Sequence, residues 1–407
     1  MKFDFNKEFS LAQVFEFIKS KLEKAGTFVK KLDKSSIKNL NIKGRVVRIN
    51  AIRLGFIVAV FAILLALLMN LVIIPHTAYR QYSGIEFDTG GDYEQHAFGE
   101  NILLLNNSGI KMINNRGRYK WEIPMTLTNP AVDIDGKYAL LADLDGNCSL
   151  NLYNLKGKNV NSYQMNTDLL SAKVNKDGIV AAAVSEEGYK GAAVVYDRKG
   201  NEIFKCNSGE GYIIDLDISN SGKLIAVAQM MSDGTETYSK IHIINISSGN
   251  ETGSYTCDGS LVANVTFDEQ DRIIAVAQNK VYGLSKKGGE RFIIDLAGKS
   301  AERYDVTGGD RMLFLCRDNR GSSLLEIYNK NGKLLGSYNG NDEIKRMSTC
   351  GDTIVVSASR SVMCISSRGR LRKIKEIEHD IMSIGVYGNC RNVLVLGGNR
   401  ADIVRMK

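Results

Sequence analysis

The segment Ile214–Gly249, IDLDISNSGKLIAVAQMMSDGTETYSKIHIINISSG, contains the pattern that determines the fold of most of this 407-residue chain. The alternating stretch Ile214–Ile218 is followed by a polar turn and then by the apolar run Leu224–Ala228. A second apolar stretch, Ile241–Ile246, leads into a turn that ends at Gly249. Short alternating or apolar runs bounded by glycine turns are typical of β-strands. The segment therefore predicts three strands, and a fourth after the glycine.

The same pattern recurs through the C-terminal part of the chain. Its turn glycines lie 37 to 49 residues apart, at Gly117, Gly157, Gly200, Gly249, Gly288, Gly332 and Gly369. An apolar run precedes each of these turns, and an eighth run, Val393–Leu396, follows near the C-terminus. Four strands per repeat of roughly 40 residues is typical of propeller blades. Residues 83–407 are therefore predicted to form an all-β, eight-bladed β-propeller, with seven blades as the alternative.

The two ends of the repeat region indicate how the ring closes. The last unit, Ile381–Met406, stops before a fourth strand, whereas Gly84–Asp88 resembles a strand that precedes the first complete unit. Pairing of these two segments would hide strand edges that otherwise invite aggregation. We therefore expect the first strand to complete the last blade.

One apolar segment has the length of a membrane span. Residues 54–74 contain no charge and are followed by Pro75, and a helix of this length measures about 31 Å. Residues 1–53 hold 13 Lys and Arg against 5 Asp and Glu, which leaves 40 of each sign in the rest of the chain. Lysines and arginines that flank a membrane span are retained on the cytoplasmic side. We therefore expect an uncleaved signal anchor in the cell membrane. The N-terminus would be cytoplasmic, 75–82 a linker, and the C-terminal domain outside.

The basic segment that precedes the span contains an amphipathic pattern. Apolar residues recur at spacings of three and four over residues 10–32, with lysines on the other sides. Such a helix suits anionic lipid of the inner leaflet. A short coiled coil and a weakly ordered tail are the alternatives. Membrane topology already accounts for the basic charge, so we expect no nucleic-acid partner.

Aromatic residues follow the turn glycines at short intervals. Gly117 precedes Trp121, and five other aromatic residues lie four or six positions after their own glycines, at Tyr163, Phe204, Tyr255, Phe292 and Tyr338. This arrangement resembles the quinoprotein-type (PQQ-like) propeller repeat. The layout also resembles single-pass, membrane-anchored propeller proteins of Gram-positive bacteria, which implies location rather than activity. Members that bind the quinone typically surround it with tryptophans, whereas this chain has one Trp. We expect no cofactor, and aromatic residues packed between blades.

The seven cysteines give no metal or thiol-redox motif, because none forms a CxxC pair. One disulfide, Cys350 with Cys364 or Cys390, is compatible with the pattern. The acidic stretch Asp143–Asn147 lacks the downstream glutamate of an EF-hand loop, so a β-turn is favoured over a calcium site.

No catalytic constellation is evident, and the chain is predicted not to be an enzyme. An enzyme would require carboxylates or histidines to converge in the central channel, with Glu210, Asp215 or Asp295 pointing there.

Propeller geometry narrows the search for a binding surface. The longest and most variable connections, such as Met230–Lys240, share one face, and binding residues usually sit on loops held by a rigid scaffold. Aromatic, Met and Arg side chains are enriched in interface cores. The candidate partner-binding residues on this face are Tyr189, Met231, Tyr238, Arg317 and Arg320.

We expect a protein-interaction scaffold or sensor at the cell envelope, which captures an envelope protein or a cell-wall component through that face. The alternatives are a propeller that binds cell wall or carbohydrate without turnover and, third, an extracytoplasmic enzyme. Fold alone does not distinguish these functions.

Overall fold

A computed structural model describes three strands near the N-terminus and residues 93–405. The described part of 93–405 excludes 115–117, 146–147, 297–298, 307–310, 318–322, 341, 352, 388–389 and 399. The chain divides into two units, Met1–Ala78 with Lys407, and Tyr79–Met406. The predicted amphipathic helix at 10–32 and the predicted span at 54–74 lie outside the described residues. Within the described part, no helix is long and apolar enough to cross a membrane.

The first unit contains two of the three preceding strands. Strand β1 (Ile37–Ile42) pairs antiparallel with β2 (Arg45–Asn50), so that Ile37 lies opposite Asn50. The pair lies in the basic segment and was not predicted. Its Ile and Val residues suit strand geometry.

The second unit is an eight-bladed β-propeller, as predicted, and the seven-bladed alternative is wrong. Each blade is a four-stranded antiparallel sheet whose strands A to D run from the channel outward. Blade 1 comprises β4 (Glu94–Phe98), β5 (Asn101–Asn106), β6 (Gly109–Ile113) and β7 (Tyr119–Pro124), and blade 2 comprises β8 (Pro130–Asp135), β9 (Tyr138–Asp143), β10 (Ser149–Asn154) and β11 (Asn159–Gln164). Blade 3 comprises β12 (Leu169–Val174), β13 (Val180–Val184), β14 (Ala192–Tyr196) and β15 (Glu202–Asn207), and blade 4 comprises β16 (Tyr212–Ile218), β17 (Leu224–Ser232), β18 (Thr237–Asn245) and β19 (Glu251–Cys257). Blade 5 comprises β20 (Val262–Phe267), β21 (Ile273–Ala277), β22 (Lys280–Leu284) and β23 (Glu290–Asp295), and blade 6 comprises β24 (Ser300–Asp305), β25 (Arg311–Arg317), β26 (Ser323–Asn329) and β27 (Leu334–Tyr338). Blade 7 comprises β28 (Arg346–Cys350), β29 (Thr353–Ser357), β30 (Ser361–Ile365) and β31 (Leu371–Glu376), and blade 8 comprises β32 (Ser383–Tyr387), β33 (Asn392–Leu396), β34 (Arg400–Arg405) and β3 (Tyr82–Glu86).

The N-terminal strand of this unit closes the ring. Strand β3 pairs antiparallel with β34, with Tyr82 opposite Ile403 and Glu86 opposite Arg400. The strand was predicted at Gly84–Asp88 and begins two residues earlier. It supplies strand D of the eighth blade and covers the edge that β34 would otherwise expose.

The apolar core lies between the blades rather than at the centre of the ring. One cluster of buried side chains lies between the two blades of each neighbouring pair, and there are eight such clusters among the described residues. In β13, Val180, Ala182 and Val184 face blade 2, whereas Ala181 and Ala183 face blade 4. Because side chains alternate between the two faces of a strand, a B strand must be apolar at every position. This explains the unbroken apolar runs of the sequence.

At five of the turn glycines the C–D turn packs against strand D of the preceding blade, namely at Gly157, Gly200, Gly288, Gly332 and Gly369. Gly157 has a φ of +74°, and a Cβ there would lie 2.7 Å from the Trp121 ring. The indole Nε1 of Trp121 donates to the Leu155 carbonyl at 3.2 Å, and the Tyr163 hydroxyl likewise donates to the Asp197 carbonyl of the next blade at 3.3 Å. The six aromatic residues that follow the glycines all pack into the clusters between blades, as predicted.

Carboxylates on the A strands join neighbouring blades around the channel. Asp133 accepts the Val174 amide at 2.8 Å, Asp217 accepts the Phe267 amide at 2.7 Å, and Asp305 accepts the Thr349 amide at 3.0 Å. Each of these bonds crosses from one blade to the next, where the A strands do not pair with each other. The carboxylates therefore satisfy backbone donors that the blade geometry leaves without a strand partner.

A disulfide adds a covalent link next to the closing blade. Cys350 at the end of β28 is bonded to Cys390 in the turn between β32 and β33, with a Cα–Cα distance of 5.2 Å. Of the two pairings compatible with the sequence, this one joins blades 7 and 8. The other five cysteines form no disulfide.

Substitution of Gly157 tests the contact between a turn and the preceding blade. Gly249 has a similar φ of +70°, but a Cβ there would have nothing within 4 Å. Both Gly→Ala changes strain the turn, whereas only Gly157→Ala also displaces the indole. We expect Gly157→Ala to lower the free energy of unfolding, measured in urea, by about 1–3 kcal/mol more than Gly249→Ala does. Equal losses in the two variants would contradict this packing.

The pH dependence of stability tests the environment of Asp217. Burial, and then the neighbouring Asp133 carboxylate, raise the pKa of Asp217 to about 7. In the unfolded chain this pKa is about 4. Between about pH 4 and 7 the folded state therefore binds more protons, and stability falls as pH rises. We expect Asp217→Asn to remove up to about 1.4 kcal/mol per pH unit of this slope, measured by urea unfolding from pH 4.5 to 7.5. Parallel curves for wild type and variant would refute the assignment.

Candidate interaction face and central channel

The connections of the propeller divide between two faces. The B–C and D–A connections open on one face, the loop face, and the A–B and C–D turns lie on the other. This follows from the antiparallel order of every blade, and the predicted partner-binding residues belong to the loop face.

Tyr189 lies in the B–C connection of blade 3 and is 50% exposed. Its amide donates to the Glu186 carbonyl at 3.1 Å. The next residue, Lys190, donates through Nζ to the Glu210 carbonyl at 3.0 Å and lies over the Tyr212 ring at 5.2 Å. The connection of blade 3 is thereby held against the start of blade 4.

Met231 and Tyr238 lie opposite each other in the long β17–β18 hairpin of blade 4. Met231 is buried and packs over Gly211, whereas Tyr238 is half-buried. At the hairpin tip, the Asp233 carboxylate accepts the amides of Thr235 and Glu236, both at 2.9 Å. These hydrogen bonds lower the pKa of Asp233 to about 2. These hydrogen bonds hold the hairpin tip in a turn, and Met231 supports the surface rather than forming it.

Arg317 ends β25 in blade 6, distant in the ring order from the other candidates. It forms ion pairs with Glu302 at 2.5 Å and with Glu343 at 3.4 Å. Two carboxylates thus already compensate its charge. Arg320 lies outside the described residues.

Three exposed apolar residues on the same face were not predicted. Leu170, Tyr212 and Leu261 lie at the starts of the A strands of blades 3, 4 and 5 and are 43%, 56% and 43% exposed. With Tyr189 they form what we call the apolar arc. The signal in the sequence was an apolar residue beside the buried residue that starts each strand. It precedes the buried residue in blades 4 and 5 and follows it in blade 3.

The carboxylates that an enzyme would have needed do not converge in the channel. Asp215 is buried and accepts from Ser171 Oγ and Asn264 Nδ2 at 2.9 Å and from the Val265 amide at 3.0 Å, so it joins three blades. Glu210 is exposed in the connection before β16, and Asp295 ends the outermost strand of blade 5. These three residues therefore carry no shared chemistry.

The acidic stretch at Asp143 also has a structural role. The buried Asp143 carboxylate accepts the amides of Thr128 and Asn129 at 3.0 Å, and Asp145 accepts from the Asn129 side chain at 2.8 Å. Gly146 and Asn147 lie outside the described residues. In the part of the chain that the structure describes, no group of three or more His, Cys, Asp or Glu residues could hold a metal ion.

A positively charged residue lies within the carboxylate wall of the channel. Lys173 is 3.5 Å from Asp133, and this carboxylate, with Asp215 and Asp217 nearby, raises the pKa of the Lys173 ammonium. The middle of the channel is therefore polar and predominantly acidic.

Comparison with solved structures shows the same fold in proteins of low sequence identity. BamB from Moraxella catarrhalis matches with a TM-score of 0.53 and 14% identity, over 81% of this chain and 98% of that chain. The C-terminal WD40 domain of Sif2 matches with a TM-score of 0.56 and 12% identity, over 76% and 93% of the two chains. At this identity the similarity shows a β-propeller and nothing further. A search of curated proteins finds no match. The model of the "Family of unknown function (DUF5711)" matches residues 75–406, and the chain therefore belongs to this family.

Proposed function

We propose that this protein is a membrane-anchored, extracytoplasmic propeller that captures a protein partner at the cell envelope through the apolar arc of its loop face. The apolar arc carries the proposal, because it places exposed apolar side chains at the A-strand starts of three adjacent blades. Exposed apolar residues that are contiguous, rather than scattered, mark interaction sites.

The arc is preorganised for binding. Each of its strand-start residues adjoins a buried neighbour: Leu169 is 2% exposed, Ile213 is 6% exposed and Val262 is 1% exposed. Their backbone is thus fixed by the core between blades. A partner that covers them loses little conformational entropy on the propeller side, which favours affinity.

Placement outside the cell rests on two further observations. The basic excess lies entirely before the apolar segment 54–74, as expected for a cytoplasmic N-terminus. The Cys350–Cys390 disulfide suits an oxidising compartment. Both support the proposed anchor and orientation.

Crosslinking in intact cells tests the apolar arc. A full-length chain with a photo-crosslinking residue at Tyr189 should form an adduct with one partner. Tyr212→Asp and Leu261→Asp should each reduce the adduct yield about tenfold, because a charge at an interface core is costly to desolvate.

The matched control is Ile203→Asp, on the outermost strand of blade 3, where the side chain is also 43% exposed. This variant should leave the adduct unchanged. If it reduces the yield as much as Leu261→Asp does, the apolar arc is not the docking surface.

The oxidation state of the cysteines tests the location. Cells are quenched in acid, thiols are alkylated under denaturing conditions, and peptides are analysed by mass spectrometry. We expect Cys350 and Cys390 to be protected as a disulfide and the free Cys206 and Cys364 to be alkylated. Complete alkylation of all four residues would argue against an oxidising location.

A further inference from the structure

A cavity of about 840 Å³ opens at the mouth of the central channel on the loop face. Blades 1 and 8 contribute most of its wall, blade 2 adds three residues, and blades 6 and 7 add the cations described below. Its lining includes Gln95, His96, Arg303, Lys345 and Arg346. The cavity is thus a second zone of the same face, with a different chemical character.

Among the described residues, the three cations of this cavity form no ion pair with a carboxylate, and Lys345 acts only at longer range on Asp380, which is paired with Arg360. In the described part of the chain, the side chains of Arg303 and Lys345 form no hydrogen bond or ion pair. The Arg346 guanidinium forms one hydrogen bond, which it donates to the Lys345 carbonyl at 2.9 Å. Burial, and then the proximity of Arg303, lower the pKa of Arg346. Two guanidinium groups from adjacent A strands therefore face the same space.

Other arginines near this face are paired, which makes the contrast informative. Arg317 contacts Glu302 and Glu343, Arg360 lies 2.7 Å from Asp380, and Arg400 contacts Glu378 and Asp402. These three described arginines of the loop face are thus compensated by carboxylates, whereas Arg303 and Arg346 at the channel mouth are not.

The remaining polar groups of the cavity do not neutralise the cations. Glu94 is the acidic residue of the lining, and it lies 3.6 Å from His96, with a side chain that is 72% exposed. Both polar atoms of the Gln95 side chain are buried and have no hydrogen-bond partner in the described part of the chain. Gln95 therefore offers a donor and an acceptor at the cavity wall.

We propose that this channel mouth binds a phosphate-bearing ligand, held by Arg303, Arg346 and Lys345. Guanidinium groups match phosphate oxygens with paired hydrogen bonds, and a lysine adds a compact positive charge. Three cations suit a multiply charged phosphate better than a single carboxylate. Deeper in the channel, the acidic residues Asp133, Asp215 and Asp217 outnumber Lys173, which favours an anion at the mouth.

Calorimetric titration of the purified full-length chain with inorganic pyrophosphate tests this site. Arg303→Gln and Arg346→Gln should each weaken binding about tenfold or more, because each removes charge-assisted hydrogen bonds. Arg372→Gln is the matched control, since Arg372 is exposed on the outermost strand of blade 7, and it should change the affinity less than twofold. Arg346→Lys, which retains the charge, should lose less affinity than Arg346→Gln.

The proposal is overturned if the chain does not bind pyrophosphate, if both Arg→Gln variants bind it like wild type, or if citrate binds and pyrophosphate does not. Unchanged thermal unfolding of Arg303→Gln and Arg346→Gln would show that a loss of binding is not a loss of fold. The site is independent of the apolar arc, so crosslinking from Tyr189 reports separately on the proposed partner.

Discussion

Burial of every blade on both faces is the constraint on which this structure depends. A B strand such as β13 contributes alternate side chains to two clusters, so no blade can be terminal without exposing an apolar face. The ring must close, and β3 closes it by pairing with β34, whose Ala401, Ile403 and Val404 are at most 1% exposed. The Cys350–Cys390 bridge joins this last blade to its neighbour. Burial of the core between the blades therefore depends on the closing strand β3.

Closure leaves a polar channel at the centre, and its polarity has a structural origin. The A strands do not pair across blades, so their channel-side amides need acceptors, which Asp133, Asp217 and Asp305 supply. Carboxylates therefore accumulate on the inner wall, where Lys173 partly compensates them. Acidic residues in the channel thus serve the joints between blades, and they do not by themselves indicate catalysis.

The loop face combines two chemical zones on one rigid ring. Blades 3 to 5 present the apolar arc at strand starts, and blades 6 and 7 contribute the cations of the channel mouth. Most residues of both zones lie on or next to A strands that adjoin the core, so their backbone is held in place by the blades. A partner protein and an anionic ligand could therefore be bound on one face without competing for the same residues.

The sequence alone determined the all-β class, the eight repeats and the closing strand, because apolar periodicity and turn glycines are local properties. It also predicted the aromatic residues between blades and gave Cys350–Cys390 as one of two candidate disulfides. Only the tertiary structure showed that Met231 is buried, that Arg317 is neutralised by Glu302 and Glu343, and that Arg303 and Arg346 share one cavity. Burial and charge compensation depend on residues from different blades, which the linear order keeps far apart and the ring brings together.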